Sequence, residues 1–124
     1  MSYAPTLTVI FDHTIQLPPV TWKRARHRGM VHWNDKQMEA AKHALGWEVK
    51  AREPALRMSD TARFGMRVTF FLERSRGGDG DRYENLVFDA LEGIVWGNDE
   101  QVDECTWHKV YNSDPAIQLT IYTL

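Results

Sequence analysis

The segment MRVTFFLERSRGGDGDRYENLVFDALEG, residues 66–93, decides the fold, because its apolar pattern changes from strand to helix across one turn. Residues 66–72 are rich in β-branched and aromatic side chains, which is typical of a β-strand. The glycine-rich stretch GGDGD, residues 77–81, is typical of a turn. A helix is predicted from about Asp81 to Gly93, with a buried stripe formed by Tyr83, Leu86, Val87 and Leu91.

Similar patterns on both sides of this segment predict four further elements. A first strand is expected at residues 6–11, and a first helix begins after Asn34 or Asp35 and runs to about Lys50. Two more strands are expected at residues 102–110 and 117–123. The order β-α-β-α-β-β predicts one α+β domain over residues 1–124, built around a mixed sheet. Its expected core also includes Met38, Ala41, Leu45, Val49, Trp33, Trp47 and Trp96.

Composition narrows the class of protein. The chain has 124 residues, of which 43% are hydrophobic and 26% charged, as in a globular domain. No apolar run has the length of a membrane span, and the first residues lack the pattern of a signal peptide. Cys105 is the single cysteine, so an intrachain disulfide is excluded. We therefore expect a cytoplasmic protein with no membrane partner.

The charges are distributed unevenly although the net charge is only −2. Basic residues cluster between positions 23 and 28, and acidic residues concentrate between positions 79 and 103. Guanidinium groups bind phosphates through paired hydrogen bonds, and Trp22 in the same stretch could stack on an unpaired base. A solvated surface loop is an equally good interpretation of this stretch alone. The members of this basic segment are Lys23, Arg24, Arg26 and Arg28.

Three aspartates could form a metal site. Asp79 and Asp81 flank one glycine ahead of the second helix, and Asp99 lies in the turn that follows this helix. If folding brings these carboxylates together, a divalent cation would relieve their repulsion, and magnesium prefers such oxygen ligands. By its spacing alone, however, GGDGD is more typical of a solvated turn.

Other chemistries fit the sequence less well. A calcium-binding loop starting at Asp79 has Tyr83 at an alternate ligand position and lacks the glutamate that should close it. No Gly-Lys-Ser/Thr follows the glycines, as a phosphate-binding loop requires. The histidines show no ligand spacing, and a buried packing role is expected for Cys105. Neither a Ser-His-Asp nor a Cys-His site is indicated.

Taken together, these segments resemble the RusA family of Holliday junction resolvases. The family pattern has Asp-x-Asp before a helix, then Asp-Ala-Leu, a glycine and a tryptophan, an acidic turn with Gln-Val, and a lysine on the next strand. The corresponding residues here are Asp79 and Asp81, Asp89-Ala90-Leu91, Gly93, Trp96, Asn98-Asp99-Glu100-Gln101-Val102 and Lys109. The basic segment after Pro18-Pro19 is similar to the family's proline-then-basic stretch.

This sequence departs from the family pattern at three positions. Arg82 stands where the family usually has asparagine, and Asn85 stands where it has a lysine one turn into the helix. Asn85 cannot supply a positive charge, so Arg82, Lys109 or the basic segment would have to replace it. The first residue of the second acidic pair is Asn98, while Asp99 retains the metal-binding position.

The resemblance implies a magnesium-dependent, structure-specific DNA endonuclease that resolves branched four-way junctions by paired phosphodiester hydrolysis as a homodimer. It implies metal binding by Asp79, Asp81 and Asp99, with Mn²⁺ able to replace Mg²⁺, and adds Lys109 to the catalytic group. DNA binding is expected from the basic segment and Arg82, in the cytoplasm at the nucleoid or, for a phage-encoded chain, in the host. A catalytically weakened or inactive DNA-binding protein is the alternative, and a domain with a purely protein partner is a third.

Overall fold

The computed structural model describes residues 7–19, 36–73, 80–111 and 114–124, with the backbone alone described at residues 80–82. The predicted β-α-β-α-β-β order, α+β class and mixed sheet are confirmed. The elements are β1 (Thr8–Ile15), α1 (Lys36–Arg52), β2 (Phe64–Leu72), α2 (Gly80–Leu91), a short 3₁₀ turn (Asp99–Gln101), β3 (Val102–Tyr111) and β4 (Ala116–Thr123).

The direction of the strands decides where the candidate site residues lie. The described sheet has the order β1-β4-β2-β3, in which β4 is antiparallel to both β1 and β2, and β3 is parallel to β2. The strands β1, β2 and β3 therefore all run the same way. We call the edge where these three strands end the carboxyl edge, and the edge where they begin the amino edge. Each helix starts at the carboxyl edge and returns the chain toward the amino edge.

Both helices pack on one face of the sheet and share its core. The predicted stripe on α2 is buried, and on α1 Met38, Leu45 and Val49 are fully buried while Ala41 is half-buried. Alternate residues of β2 complete this core from the sheet. The parallel β2-α2-β3 unit is thus held by an apolar layer between its helix and its strands.

The tryptophans differ in their placement. Trp96 is fully buried and its ring lies 5.7 Å from that of Phe64, as expected of a core anchor. The prediction that Trp47 belongs to the core is wrong, because 72% of its surface is exposed. Its neighbour Gly46 occupies the side of α1 that faces α2, where an added Cβ would lie 2.8 Å from Ile94 Cδ1. The next residue is rotated away from this contact. Trp33 lies outside the described residues.

The first strand spans residues 8–15, so it starts and ends further along the chain than the predicted residues 6–11. It continues to Ile15 because pairing with β4 extends through the Ile15–Ile117 register pair. The other predicted elements begin and end within two residues of their observed limits.

Across the part of the chain that the structure describes, no helix combines the length and the apolar content needed to cross a bilayer.

Substitution of Gly65 by alanine should destabilise the sheet. A Cβ atom at this position in β2 would lie 2.2 Å from the ring of Tyr122, which is buried and donates a hydrogen bond to Glu104. Displacing this packed ring should lower the free energy of unfolding by about 1–3 kcal/mol, as measured by urea denaturation. Thr69→Ala on the same strand is the control, with an expected loss below about 1 kcal/mol, because no side chain is displaced. Equal stability of the two variants would contradict the tight packing at Gly65.

Candidate metal centre and DNA-binding edge

At the carboxyl edge, the ends of β1 and β2 and the start of β4 lie close together. A cavity of about 70 Å³ is lined by residues that follow β1, end β2 and precede β4. They are Pro18, Pro19, Leu72, Glu73 and Pro115. Because proline fixes its own backbone torsion, the three prolines restrict the path of the chain as it leaves or enters the sheet. The carboxyl edge is therefore a fixed base from which the connecting segments depart.

Most predicted DNA-binding and metal-binding residues belong to the chain segments that connect to the carboxyl edge. The basic segment, with Lys23, Arg24, Arg26 and Arg28, belongs to residues 20–35 between β1 and α1, outside the described residues. Asp79 belongs to residues 74–79 between β2 and α2, which are also outside them. The backbone of Asp81 and Arg82 lies in the first turn of α2, and their side chains are not described. By chain connectivity, both segments begin and end at the carboxyl edge.

Lys109 lies near the same end of the sheet. It is half-buried on β3, two residues before the strand ends, and its register partner on β2 is Phe70. The ring of Phe70 is 5.4 Å from the ring of Tyr83, which belongs to the first turns of α2. The backbone of Lys109 therefore lies near the first turns of α2. The catalytic role of Lys109 stays a prediction.

Asp99 lies at the opposite, amino edge, in a turn held by the buried side chain of Gln101. The Gln101 Oε1 atom accepts hydrogen bonds from the backbone N–H groups of Gly97 at 2.9 Å and Asn98 at 3.0 Å. Its Nε2 atom donates to the carbonyl oxygens of Ser59 and Ala62, both at 2.9 Å. One side chain thus ties the turn that carries Asp99 to the segment that precedes β2.

Two further interactions fix this turn. The Asn98 side chain accepts a hydrogen bond from the backbone of Glu100 at 2.9 Å, and with Gln101 it forms a capping box. Arg63 binds Asp103 through Nε at 3.0 Å and the Glu100 carbonyl oxygen through a second nitrogen at 2.8 Å. The hydrogen bond from Arg63 lowers the pKa of the Asp103 carboxyl group. The exposed carboxylate of Asp99 is consequently presented by a well-anchored turn.

The backbone path separates Asp99 from the start of α2. Asp81 lies in the first turn of this helix and Leu91 is its last residue. Ten residues of α-helix span about 15 Å. The turn with Asp99 then joins β3, whose first residue pairs with the first residue of β2 at the amino edge. A single chain therefore directs Asp81 and Asp99 to opposite edges of the sheet.

Other candidate chemistries gain no support within the described residues. No three His, Cys, Asp or Glu side chains converge there as a metal-binding group. Burial raises the pKa of the half-buried Cys105 thiol to about 12, so this side chain stays protonated at neutral pH. Cys105 packs against the core, as expected. His13 bonds to Glu53 at 3.0 Å, while His43 and His108 are exposed.

A family model described as endodeoxyribonuclease RusA matches residues 16–122, which is nearly the whole chain. The chain belongs to the RusA family. No match was found among curated proteins. The suspected resemblance is thus confirmed, and it extends across both edges of the sheet.

The structure explains several elements of the RusA pattern as parts of the scaffold. Ala90 and Leu91 are buried between α2 and its neighbours. Gly93, two residues after the last residue of α2, adopts a positive φ of 86°, which glycine tolerates. Trp96 anchors the following loop, and Gln101 locks the acidic turn. The spacing of Asn98 and Gln101 fits a capping box and could have revealed this lock in advance, although it was not part of the prediction.

Proposed function

We propose that this RusA-family chain is a magnesium-dependent endonuclease that resolves Holliday junctions by paired phosphodiester hydrolysis as a homodimer. The family match over residues 16–122 is the observation that carries this proposal. The described fold supports it, because residues 20–35 and residues 74–79 both connect to the carboxyl edge, where α2 also starts. We expect the enzyme to act on branched DNA in the cytoplasm, at the nucleoid of its cell or, if phage-encoded, of its host.

The carboxyl edge is the surface proposed to meet the DNA. In open sheets, ligand sites form where parallel strands end, because the connecting segments there are free to diverge around a ligand. The basic segment leaves this edge after β1, and Arg82 lies at the start of α2. Their positive charges would bind backbone phosphates and release counterions, so the affinity for DNA should fall steeply with salt.

The proposed metal ligands are Asp79, Asp81 and Asp99. Magnesium favours carboxylate and water oxygens, and the exposed Asp99 forms no ion pair with another described side chain. Since Asp81 and Asp99 lie at opposite edges of one chain, a site with all three acids requires two chains. Asp79 and Asp81 of one protomer would then face Asp99 of the other. This requirement supports the homodimer independently of the symmetry of the four-way junction.

Each protein group has a defined task in the proposed reaction. Mg²⁺ or Mn²⁺ bound by these acids would activate a water molecule and stabilise negative charge on the phosphate. Lys109, whose backbone lies near the first turns of α2, would offset part of that charge with its ammonium group. The basic segment and Arg82 would hold the flanking phosphates. Two such sites related by a two-fold axis would cut two strands of the junction, leaving nicked duplexes.

Asp81→Asn tests the metal site directly. Removing one ligand charge should lower the rate of cleavage of a synthetic four-way junction in Mg²⁺ by at least about 100-fold, because replacing a residue that only hydrogen-bonds to a metal ligand already costs about 10–100-fold. Binding to the junction, measured by gel shift with chelator, should persist. Asp89→Asn is the matched control, since it makes the same change at an exposed position on the same helix. An Asp81 variant that cuts like the control would refute the assignment.

One observation favours a second candidate function, a catalytically weakened or inactive junction-binding protein. Asn85 is exposed on α2 at the position where the family pattern has its lysine. If no other cation replaces this lysine, the protein would still bind the junction but would no longer cut it. A junction that is bound at low salt but remains intact with both Mg²⁺ and Mn²⁺ would establish this candidate.

A further inference from the structure

The outer side of α1 carries a row of solvent-exposed residues that recur at alternating intervals of four and three positions. Residues with these intervals lie one above the other along the same face of a helix. None of them is acidic, and one is a tryptophan. We call this row the α1 stripe. Its members are Lys36, Ala40, His43, Trp47 and Lys50.

The tryptophan of the α1 stripe is not explained by packing. Trp47 is 72% exposed, so its indole ring buries little apolar surface on the protein. Helix propensity does not explain it either, because tryptophan ranks below alanine, lysine and glutamate as a helix former. Tryptophan is enriched among the residues that dominate binding energies, and its flat face can stack on a nucleic-acid base. The exposure of Trp47 therefore indicates a ligand that contacts the ring from outside the fold.

Basic members of the α1 stripe lie on both sides of this ring. His43 precedes Trp47 by one helical turn, and Lys50 follows it by one turn. Lys50 forms no ion pair with another described side chain, whereas Arg52, two residues later, binds Glu48 at 3.2 Å. An unpaired ammonium group beside an exposed indole ring is complementary to a phosphate beside an unpaired base. The charge and the ring together favour a nucleic-acid strand as the ligand.

Acidic residues on the α2 side restrict which form of DNA can bind. A cavity of about 380 Å³ between the helices is lined by Trp47 and Lys50 from α1, and by Asp89 and Glu92 from the other side. Glu39, another acid of this lining, is paired with a lysine of its own helix. A duplex lying on α1 would bring its second backbone close to the unpaired carboxylates of α2. A single strand can follow the α1 stripe without this repulsion.

We propose that the α1 stripe binds a single strand of DNA, with a base stacked on Trp47 and backbone phosphates bound by Lys36 and Lys50. The inference rests on the proposed function and adds a substrate preference to it. The helix begins at the carboxyl edge, where DNA is proposed to be cut, and its 17 residues span about 25 Å. An unpaired strand leaving that edge would run along the stripe. The enzyme should therefore favour branched DNA with a single-stranded arm over a junction of four duplexes.

Fluorescence anisotropy with a labelled oligothymidylate of about 20 nucleotides, longer than a typical single-strand site, tests the stacking contact. The full chain is used at low salt with chelator, so that no cleavage occurs. Trp47→Ala should raise the Kd at least about fivefold, because the stacked base loses its partner. Trp47→Phe, which keeps an aromatic face, should restore most of the affinity. Alanine is the best helix former, so the fold should persist. A Trp47→Ala chain that binds like the parent would overturn the proposal.

A charge reversal tests the phosphate contact. Lys50→Glu should raise the Kd for oligothymidylate about fivefold more than Arg52→Glu does, because a phosphate contact is lost as well as net charge. Arg52 is the matched control, since it is exposed near the same end of α1 but points about 200° away around the helix. Equal losses in the two variants would show that only the total charge matters, and would refute the α1 stripe.

Duplex DNA separates this inference from the proposed function. Trp47→Ala should bind a duplex of the same length, and cut a junction of four duplexes, within about twofold of the parent. Equal losses on duplex and single strand would refute the selection of an unpaired strand. A parent that cuts the junction while Trp47→Ala keeps its affinity for oligothymidylate would leave only the proposed function. A parent that cuts no branched DNA while Trp47→Ala loses this affinity would leave only the single-strand site.

Discussion

A mixture of Asp81→Asn chains and Asp99→Asn chains is expected to cut a four-way junction that neither variant cuts alone. In the proposed homodimer each metal site combines Asp81 of one protomer with Asp99 of the other. A heterodimer of the two variants therefore holds one site that lacks both acids and one site that is intact. The intact site should restore nicking in Mg²⁺, measured on a labelled junction after the two chains have exchanged subunits.

The pattern of products makes this experiment decisive. One intact site per dimer should nick a single strand, so nicked junctions should accumulate over fully resolved duplexes. A mixture of Asp81→Asn with Asp79→Asn is the control, because both substitutions affect the same half of the proposed site and should not complement each other. If the first mixture stays as inactive as this control while dimers form, the three aspartates do not act across two chains.

Replacement of Gln101 by leucine should have the largest effect on stability. The four hydrogen bonds of this side chain would be lost, leaving the N–H groups of Gly97 and Asn98 and the carbonyl oxygens of Ser59 and Ala62 without partners in a protected region. Unsatisfied buried groups cost about 1–3 kcal/mol each, and partial access of water should limit the total loss of unfolding free energy to about 3 kcal/mol. Urea denaturation provides the measurement.

A matched substitution separates this effect from a general cost of losing glutamine. Gln118→Leu removes a half-buried glutamine on β4 that bonds to Asp12 at 3.1 Å, and it should change stability by less than about 1 kcal/mol. In folded Gln101→Leu protein, the Mn²⁺ affinity should also fall, because the turn with Asp99 loses its anchor. Stability and Mn²⁺ affinity equal to those of the control would show that Gln101 does not hold this turn.

Most of the fold was predictable, because the local sequence patterns of the helices and strands match the faces that are buried in the core. The alternation in β2 and the helical stripe on α2 both match the burial that the structure shows. Strand order was not predictable, since the insertion of β4 between β1 and β2 depends on contacts distant in sequence. The exposure of Trp47 escaped prediction for a similar reason, because the close approach of α1 to α2 at Gly46 is a tertiary contact.

The candidate site was predictable in its residue types but not in its arrangement. Acidic and basic residues at family spacings identify Asp99 and the basic segment as candidates. The β-α-β order indicates parallel strands, but the prediction did not place Asp99 at the amino edge, opposite the start of α2. The buried amide of Gln101 was also missed as a structural group, although its spacing from Asn98 is a local signal. The burial of this amide depends on contacts with residues 59 and 62, which are distant in sequence.

The length of α2 has a biological consequence for a DNA-cutting protein. Because this helix extends about 15 Å from Asp81 to Leu91 and so separates the two halves of the proposed centre, a newly made, solitary polypeptide would not cut the chromosome. Activity would emerge only above the abundance at which copies meet. Only a dimer would then cut DNA. Because a dimer holds two complete sites, it would cut two strands of the junction and would not leave isolated single-strand breaks.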